Sequence, residues 1–267
     1  MQAGFAFSKF ADRLVSIVEL TPGDLDLLTN MPSSIRYYGP CHHILQKGDR
    51  PDHCSLVLQG YLCWQHVNSS HRHITSIHVT GDVPDLHTFF DPRVDFDLVT
   101  LSPAVIASIP HSFFREISAL SPSMARAFLL LFLTEAAALR NWTVTLGSRD
   151  ALARVAHLLC EVVERLRAVG LARDFRIPSP FTQSGLADAC GISPVHANRV
   201  IRELSRSNIL QWQARTITIN NWNELVRLAE FAPDYLRLRG GDVTELYRNS
   251  LPKSAIGRCA SKDAALH

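Results

Sequence analysis

The sequence predicts an α+β fold with an N-terminal β-roll, one long helix and a C-terminal winged helix-turn-helix. Three observations carry this expectation. Short β-branched or alternating runs between residues 40 and 110 are punctuated by glycine. A helix opening at Ser121-Pro122 is apolar on every side at its centre. The stretch TQSGLADACGISPVHANRVIREL, residues 182–204, reads as two short helices hinged at one glycine.

The chain has 267 residues, enough for one large domain or two ordinary ones, and 46% of them are apolar, which excludes wholesale disorder. Charge divides the chain. Residues 1–147 carry 10 Lys/Arg against 13 Asp/Glu, whereas residues 148–240 carry 13 against 9, and all 13 of those bases are arginine. An acidic front and an arginine-rich back imply two domains, the second facing something anionic. The six cysteines, at 41, 54, 63, 160, 190 and 259, include no C-x-x-C pair, which argues against a zinc ribbon. The opening MQAGFAFSKFADRLVSIVEL carries Lys9, Asp12 and Arg13 and lacks the long apolar core of a signal peptide. The most apolar run, Ala127 to Leu133, is short of the roughly 20 residues that span a bilayer. The expectation is a soluble, cytoplasmic, reduced protein with no membrane partner.

Along the chain, TPGDLDLLTNM has a capping start and helical leucine spacing. The runs SLVLQGYLCW, HITSIHVTG and AVIASIP read as strands, with Gly48, Gly60 and Gly81 as turn positions, the rhythm of a small barrel or roll. Ser121 caps the long helix and Pro122 takes its first position, with an end expected near Trp142 or Leu146. Its all-round apolar centre needs a partner on a second side, and an identical helix is the simplest one; Phe128, Leu130, Leu131 and Leu133 are the candidate interface. Gly147 breaks the pattern, and Leu152, Val155, Ala156, Leu159, Val163 and Leu166 then follow helical spacing. Beyond the hinged pair, ILQW and RTITI form a hairpin with Arg215 at its tip, followed by a helix from Trp222 to about Phe231. The tail past Gly240 has no apolar period and is expected to be disordered.

Within the hinged pair, Thr182 is the first N-cap, Phe181 can staple onto Leu186, and Gly191 fits the left-handed position that ends a helix. Ser193 caps the second helix. At 100° per residue, Ala197, Val200, Ile201 and Leu204 fall on one stripe, and Val195, Arg199, Arg202 and Arg206 on the opposite one, flanked by His196 and Asn198. Arginine, amide and imidazole donors beside an apolar tip are the groups that read base edges. The candidate DNA contacts are therefore Thr182, Ser193, Val195, His196, Asn198, Arg199, Arg202 and, on the wing, Arg215. The partner is double-stranded DNA.

The glycine-punctuated segment LQKGDRPDHCSLVLQGYLCW, the single long helix, RDALARVAHLLCEVVERL and the winged unit FTQSGLADACGISPVHANRVIREL together resemble the Crp/Fnr superfamily of bacterial transcription regulators over residues 20 to 235. The resemblance implies a cyclic-nucleotide-binding-type β-roll over residues 1–115, a dimerisation helix over 116–147, a winged helix-turn-helix over 148–235 and a tail over 236–267. It implies a homodimer on two-fold symmetric DNA, no catalysis, and RNA polymerase as a further partner. It also implies that Arg199, six residues after the capping serine, is a key base or phosphate contact.

The resemblance weakens in the sensor half. Members that bind a cyclic nucleotide hold its ribose with Gly-Glu and its phosphate with arginine. Those positions fall on Asp85-Leu86 and near Val94 here, Arg93 is one register off, and no Glu occurs between Glu19 and Glu116. Cyclic AMP is therefore not the expected effector. Cys41, Cys54 and Cys63 lack the spacing of the family's iron–sulfur members. The alternatives are a regulator responding to redox or metal through Cys/His groups, and a cupin-like metalloenzyme with an accessory winged helix. Their candidates are His71 with His73, His42-His43 with His53 and Cys54, and His157 with Cys160, the last expected to be buried packing. No cofactor or metal is expected.

Overall fold

The computed structural model describes residues 7–68 and 71–239. Two short helices come first, α1 (Ser8–Val15) and α2 (Pro22–Thr29). Seven strands follow: β1 (Ser34–Tyr38), β2 (His43–Leu45), β3 (His53–Gln59), β4 (Leu62–Val67), β5 (Arg72–His78), β6 (Asp97–Thr100) and β7 (Ala104–Pro110). They make two antiparallel sheets, ordered β1-β7-β3 and β2-β6-β4-β5. Val57 and Ile106 from the first share one core with Leu45, Leu62, Trp64 and Leu98 from the second, so the sheets face each other as a roll. Gly60 closes the β3–β4 turn at φ +93°, and a Cβ there would lie 2.4 Å from the Pro103 carbonyl oxygen; only glycine fits.

Helices α3 (His111–Leu120), α4 (Pro122–Ser148) and α5 (Ala151–Ala168) carry the chain away from the roll. The α4 cap is wired to α2. Ser121 Oγ accepts from the Met124 amide at 3.1 Å and donates to Asp24, whose other oxygen closes the capping box with Thr21. Helix α4 runs through Gly147 to Ser148, and the restart is capped by Asp150, which accepts from the Ala153 amide at 2.8 Å. The break expected at Gly147 comes after Ser148 because one open, neighbourless glycine is tolerated inside a helix.

Two expectations about α4 change. The seven-residue apolar run is short, yet the whole 27-residue helix is long and apolar enough by composition to cross a membrane. Its Met124, Ala127, Phe128, Thr134, Ala137, Trp142 and Thr145 are instead buried against its own chain. Phe128 is therefore not an interface residue: it is 1% exposed and packs edge-on against Phe89 and Phe114. Leu130 and Leu131 are half-buried on the same core. The face left open carries Leu129, Leu133 and Val144, with Leu139 beside it.

The C-terminal part comprises β8 (Arg176–Pro178), α6 (Gln183–Cys190), α7 (Pro194–Arg206), β9 (Leu210–Gln213), β10 (Thr216–Ile219) and α8 (Trp222–Ala229). Its sheet is ordered β8-β10-β9. Tyr61, Ile74, Ile77 and Val79 of the roll share one continuous core with α5, α6 and α8. Tyr61 Oη also donates to the Pro178 carbonyl at 2.8 Å, and Arg72 reaches Asp188 at 3.8 Å. Of the tail expected over 236–267, residues 236–239 are described and do not fit disorder: Leu236 ends a 3-10 turn (Pro233–Leu236) and is buried with Leu238 packed beside it in the shared core, while the rest lies outside the described residues.

Candidate nucleic-acid interface

Local chemistry sets the angle between α6 and α7. Thr182 Oγ1 accepts from the Gly185 amide at 3.0 Å, and Ser193 Oγ from the His196 amide at 3.2 Å. Both hydroxyls cap helices, so they orient the unit. Gly191 ends α6 at φ 61°, ψ 41°, and Pro194 opens α7 where no amide hydrogen is needed. Ala197, Val200 and Leu204 are buried in the shared core. Ile201, placed on that stripe by the sequence, is half-buried because it sits at the stripe's edge.

The outward face is open. Val195 is 80% exposed, and Arg199, Arg202 and Arg206 are exposed. Arg199 Nη2 lies 2.9 Å from His196 Nε2, so the two side chains are held together one turn apart. Asn198 Nδ2 donates to Gln183 Oε1 at 2.8 Å, a tie between the two helices that sequence reasoning missed because the partners are 15 positions apart. Strands β9 and β10 pair Gln213 with Thr216, leaving Ala214 at φ 52° and Arg215 exposed at the tip. The Arg215 carbonyl accepts from the Ser179 amide at 2.7 Å, which anchors the wing. Among the described residues, Arg202, Arg206 and Arg215 enter no side-chain hydrogen bond or ion pair. Exposed guanidinium groups without a carboxylate partner, two on α7 and one on the wing, fit phosphate and base edges.

In the roll, the positions equivalent to a nucleotide cassette point inward. Asp85 is fully buried, one oxygen accepting from the Ser55 amide at 2.7 Å and the other unpartnered, and burial raises its carboxyl above the usual range. Leu86 and Val94 are core residues, and Arg93 is an exposed partner of Asp91. Between the roll and α4 lies a cavity of about 560 Å³. At its base Asp82 joins Arg13 (3.3 Å) and Arg165 (2.7 Å). Burial works against the Asp82 carboxylate, but Arg165 and Arg13 hold it below the ordinary range. Glu161 accepts from Trp142 Nε1 at 3.0 Å and Tyr235 Oη at 2.7 Å.

The other Cys and His groupings do not converge. Cys54, Cys63, Cys160 and Cys190 are buried, and burial raises their thiols, Cys63 and Cys190 to about 12, which suppresses the reactive thiolate. Cys41 is exposed, and Cys259 lies outside the described residues. His157 is 2% exposed and stacked on Tyr235. His71 and His73 have ring centroids 6.4 Å apart, while His53 is bonded to Asp52 and His43 faces Asp97. Among the described residues no three His, Cys, Asp or Glu side chains are arranged to hold a metal ion.

Comparison with known proteins agrees with this geometry. A Crp-like helix-turn-helix domain matches residues 153–228, and a cyclic nucleotide-binding domain matches residues 35–120. The "Anaerobic regulatory protein" of Aggregatibacter actinomycetemcomitans is 24% identical over 58% of this chain and 60% of its own length. Less than two thirds of that relative is thus spanned. The "Nitrogen fixation regulation protein FixK" of Rhizobium meliloti is 26% identical over 70% of this chain and 83% of its own. The structure of FixK2 from Bradyrhizobium japonicum has the same fold, with a TM-score of 0.67 at 20% identity over 76% of this chain and 100% of that one.

Proposed function

The chain belongs to the Crp/Fnr family, and from that premise we propose that it regulates transcription as a homodimer on a two-fold symmetric DNA operator. The observation that carries this reading is the exposed stripe of α7, with the unpaired Arg202 and Arg206, beside the unpaired wing arginine Arg215. In this reading Val195, His196, Asn198 and Arg199 face the base edges, and Arg202 and Arg215 the phosphates. Thr182 and Ser193 hold the entry angle and present their helix N-termini to the backbone. The open face of α4, with Leu129, Leu133 and Val144, supports a second copy of the chain as its cover. Paired subunits would set two recognition helices about one DNA turn apart. The reading places the protein in the cytoplasm with its DNA, gives it RNA polymerase as a further partner, and assigns it no catalysis.

The test is selection of bound duplexes from a randomised library by the full chain at moderate salt. The expected result is an inverted repeat with half-site centres about 10 base pairs apart. Recovery of sequences with no common repeat would overturn the proposal.

A second aspect of the reading is that the roll senses something other than a cyclic nucleotide. Asp85 is turned into the core and Val94 is buried, so neither position offers a ribose or phosphate contact.

A further inference from the structure

One charged group in the cavity is left without a matching charge. Glu135 on α4 lines the cavity wall, and its side chain is 36% exposed there. The charged and titratable groups facing it come from four directions: Arg13 on α1, His78 on β5, Asp82 in the turn after β5, and Glu161 with Arg165 on α5. Both arginines are committed to Asp82, and Arg165 also donates to the Ile77 carbonyl at 2.6 Å. Glu161 accepts from Trp142 and Tyr235 and pairs with Arg165 Nη1 at 3.5 Å. His78 Nε2 stands 3.6 Å from Glu135 Oε1 and 3.0 Å from Ser76 Oγ. Burial pushes His78 down to about 3, so it is neutral and supplies no positive charge. Glu135 itself is raised to about 7 by burial, with Arg165 opposing and Asp82 and Glu161 adding to the rise.

The rest of the wall is largely apolar and aromatic, with Trp64, Phe96, Leu131 and Trp142, and also carries His87 and the hydroxyls of Thr75, Ser76 and Thr134. The volume, about 560 Å³, falls within the roughly 300–1,000 Å³ of small-molecule sites. Four carboxyl groups line the cavity (Asp82, Asp95, Glu135, Glu161) against two arginines and the imidazoles of His78 and His87. An anionic head group would compete with Asp82 for the two arginines, whereas a cationic one meets Glu135 and aromatic faces.

We infer that this cavity takes a small, largely apolar molecule carrying a protonated amine, with the amine set against Glu135. The inference rests on reading the roll as the effector domain. The amine supplies the positive charge that His78 withholds, and the apolar body fills the space beneath α4. Glu135 lies on the helix assigned to dimerisation, so occupancy acts directly on that element.

The test uses the full chain and three probes that differ only in head group: phenethylamine, phenethyl alcohol and phenylacetate. Binding is followed by calorimetry and by quenching of tryptophan fluorescence. Near pH 8 phenethylamine is expected to bind at least about 10-fold more tightly than the other two, a difference of about 1.4 kcal/mol. Glu135→Gln should erase that preference and leave the alcohol unchanged. A second arm needs no variant: near pH 5.5, where Glu135 is protonated, the amine's advantage over the alcohol should shrink in the wild-type protein. Phenylacetate binding as tightly as the amine, a preference that survives in Glu135→Gln or at low pH, or no saturable amine binding up to roughly 10 mM would each overturn the inference. No DNA enters the assay, so its failure is distinct from failure of the operator reading.

Discussion

At the scale of single residues, the arginines of the DNA face are not equivalent. Arg199 is held against His196 on the outer stripe of α7, so its guanidinium is pre-positioned. Arg199→Ala should cost about 1–3 kcal/mol on the selected operator and relax choice at one base pair. Arg215 stands alone on the wing, and Arg215→Ala should weaken all DNA about equally and lower the slope of log affinity against log salt by about one unit. Gel shifts at two salt concentrations separate the two outcomes, and an unchanged sequence preference for Arg199→Ala would remove α7 as the reader. Glu135 carries a pH effect of its own. Its carboxyl is raised in the folded protein to about 7, so the folded form holds the proton more tightly than the unfolded chain. The stability it contributes is present below the ordinary carboxylate range and is lost as pH rises toward 7. Glu135→Gln should therefore melt with the wild type near pH 5 and above it near pH 8. Matching melting curves at both values would mean the carboxyl is not raised.

At the scale of elements, α4 and α7 show what a periodic sequence reveals and what it leaves out. The caps of α2, α4 and both hinged helices were legible, because Thr21, Ser121, Thr182 and Ser193 bond to backbone within three residues. Gly191 and the Gln213–Thr216 hairpin were legible for the same local reason. Helices α1 and α3 and strands β1, β2, β6 and β8 were not, since they are short and are fixed by packing on other parts of the chain. The side of α4 left open by its own chain was also hidden. A run apolar all round has no periodicity from which to choose, and the structure assigns Phe128 to the roll and Leu129 to the open face. Glutamates at Leu129 and Leu133 should hence separate the subunits while leaving the monomer's core intact, a shift that light scattering reads directly. A dimer that persists would place the interface elsewhere. Within α7 the same reasoning ranks two core positions. Leu204 is 1% exposed and Leu204→Ala should cost about 2–5 kcal/mol, whereas half-buried Ile201 should cost less. Thermal melts check the order.

At the scale of the whole molecule, the parts are coupled through one core and one ion-pair cluster. The core runs from Ile74 and Ile77 on β5 to Leu186 on α6, and Asp82 links Arg13 on α1 to Arg165 on α5. The charged cluster could not be read from the sequence, because its members lie some 70 and 83 positions apart and become neighbours only when the roll closes on α5. The cavity beneath α4 shares its wall with these groups, so the proposed ligand would act on α4 and α5 together. The coupling has a consequence that does not depend on any ligand. Wild-type protein should unfold in one cooperative transition, since no boundary between the parts is free of buried contacts. Asp82→Ala removes the common partner of two buried guanidinium groups, and an uncompensated buried charge costs about 3–5 kcal/mol. The variant should show a lower melting temperature and, because the lost pair is the ionic bridge between roll and α5, two resolved transitions by calorimetry. Asp82→Asn keeps the Val79 turn contact but not the charge, so it should melt below the wild type by a comparable amount. If Asp82→Ala retains a single transition at the wild-type temperature, the cluster does not carry the coupling, and the shared apolar core alone holds the two halves in register.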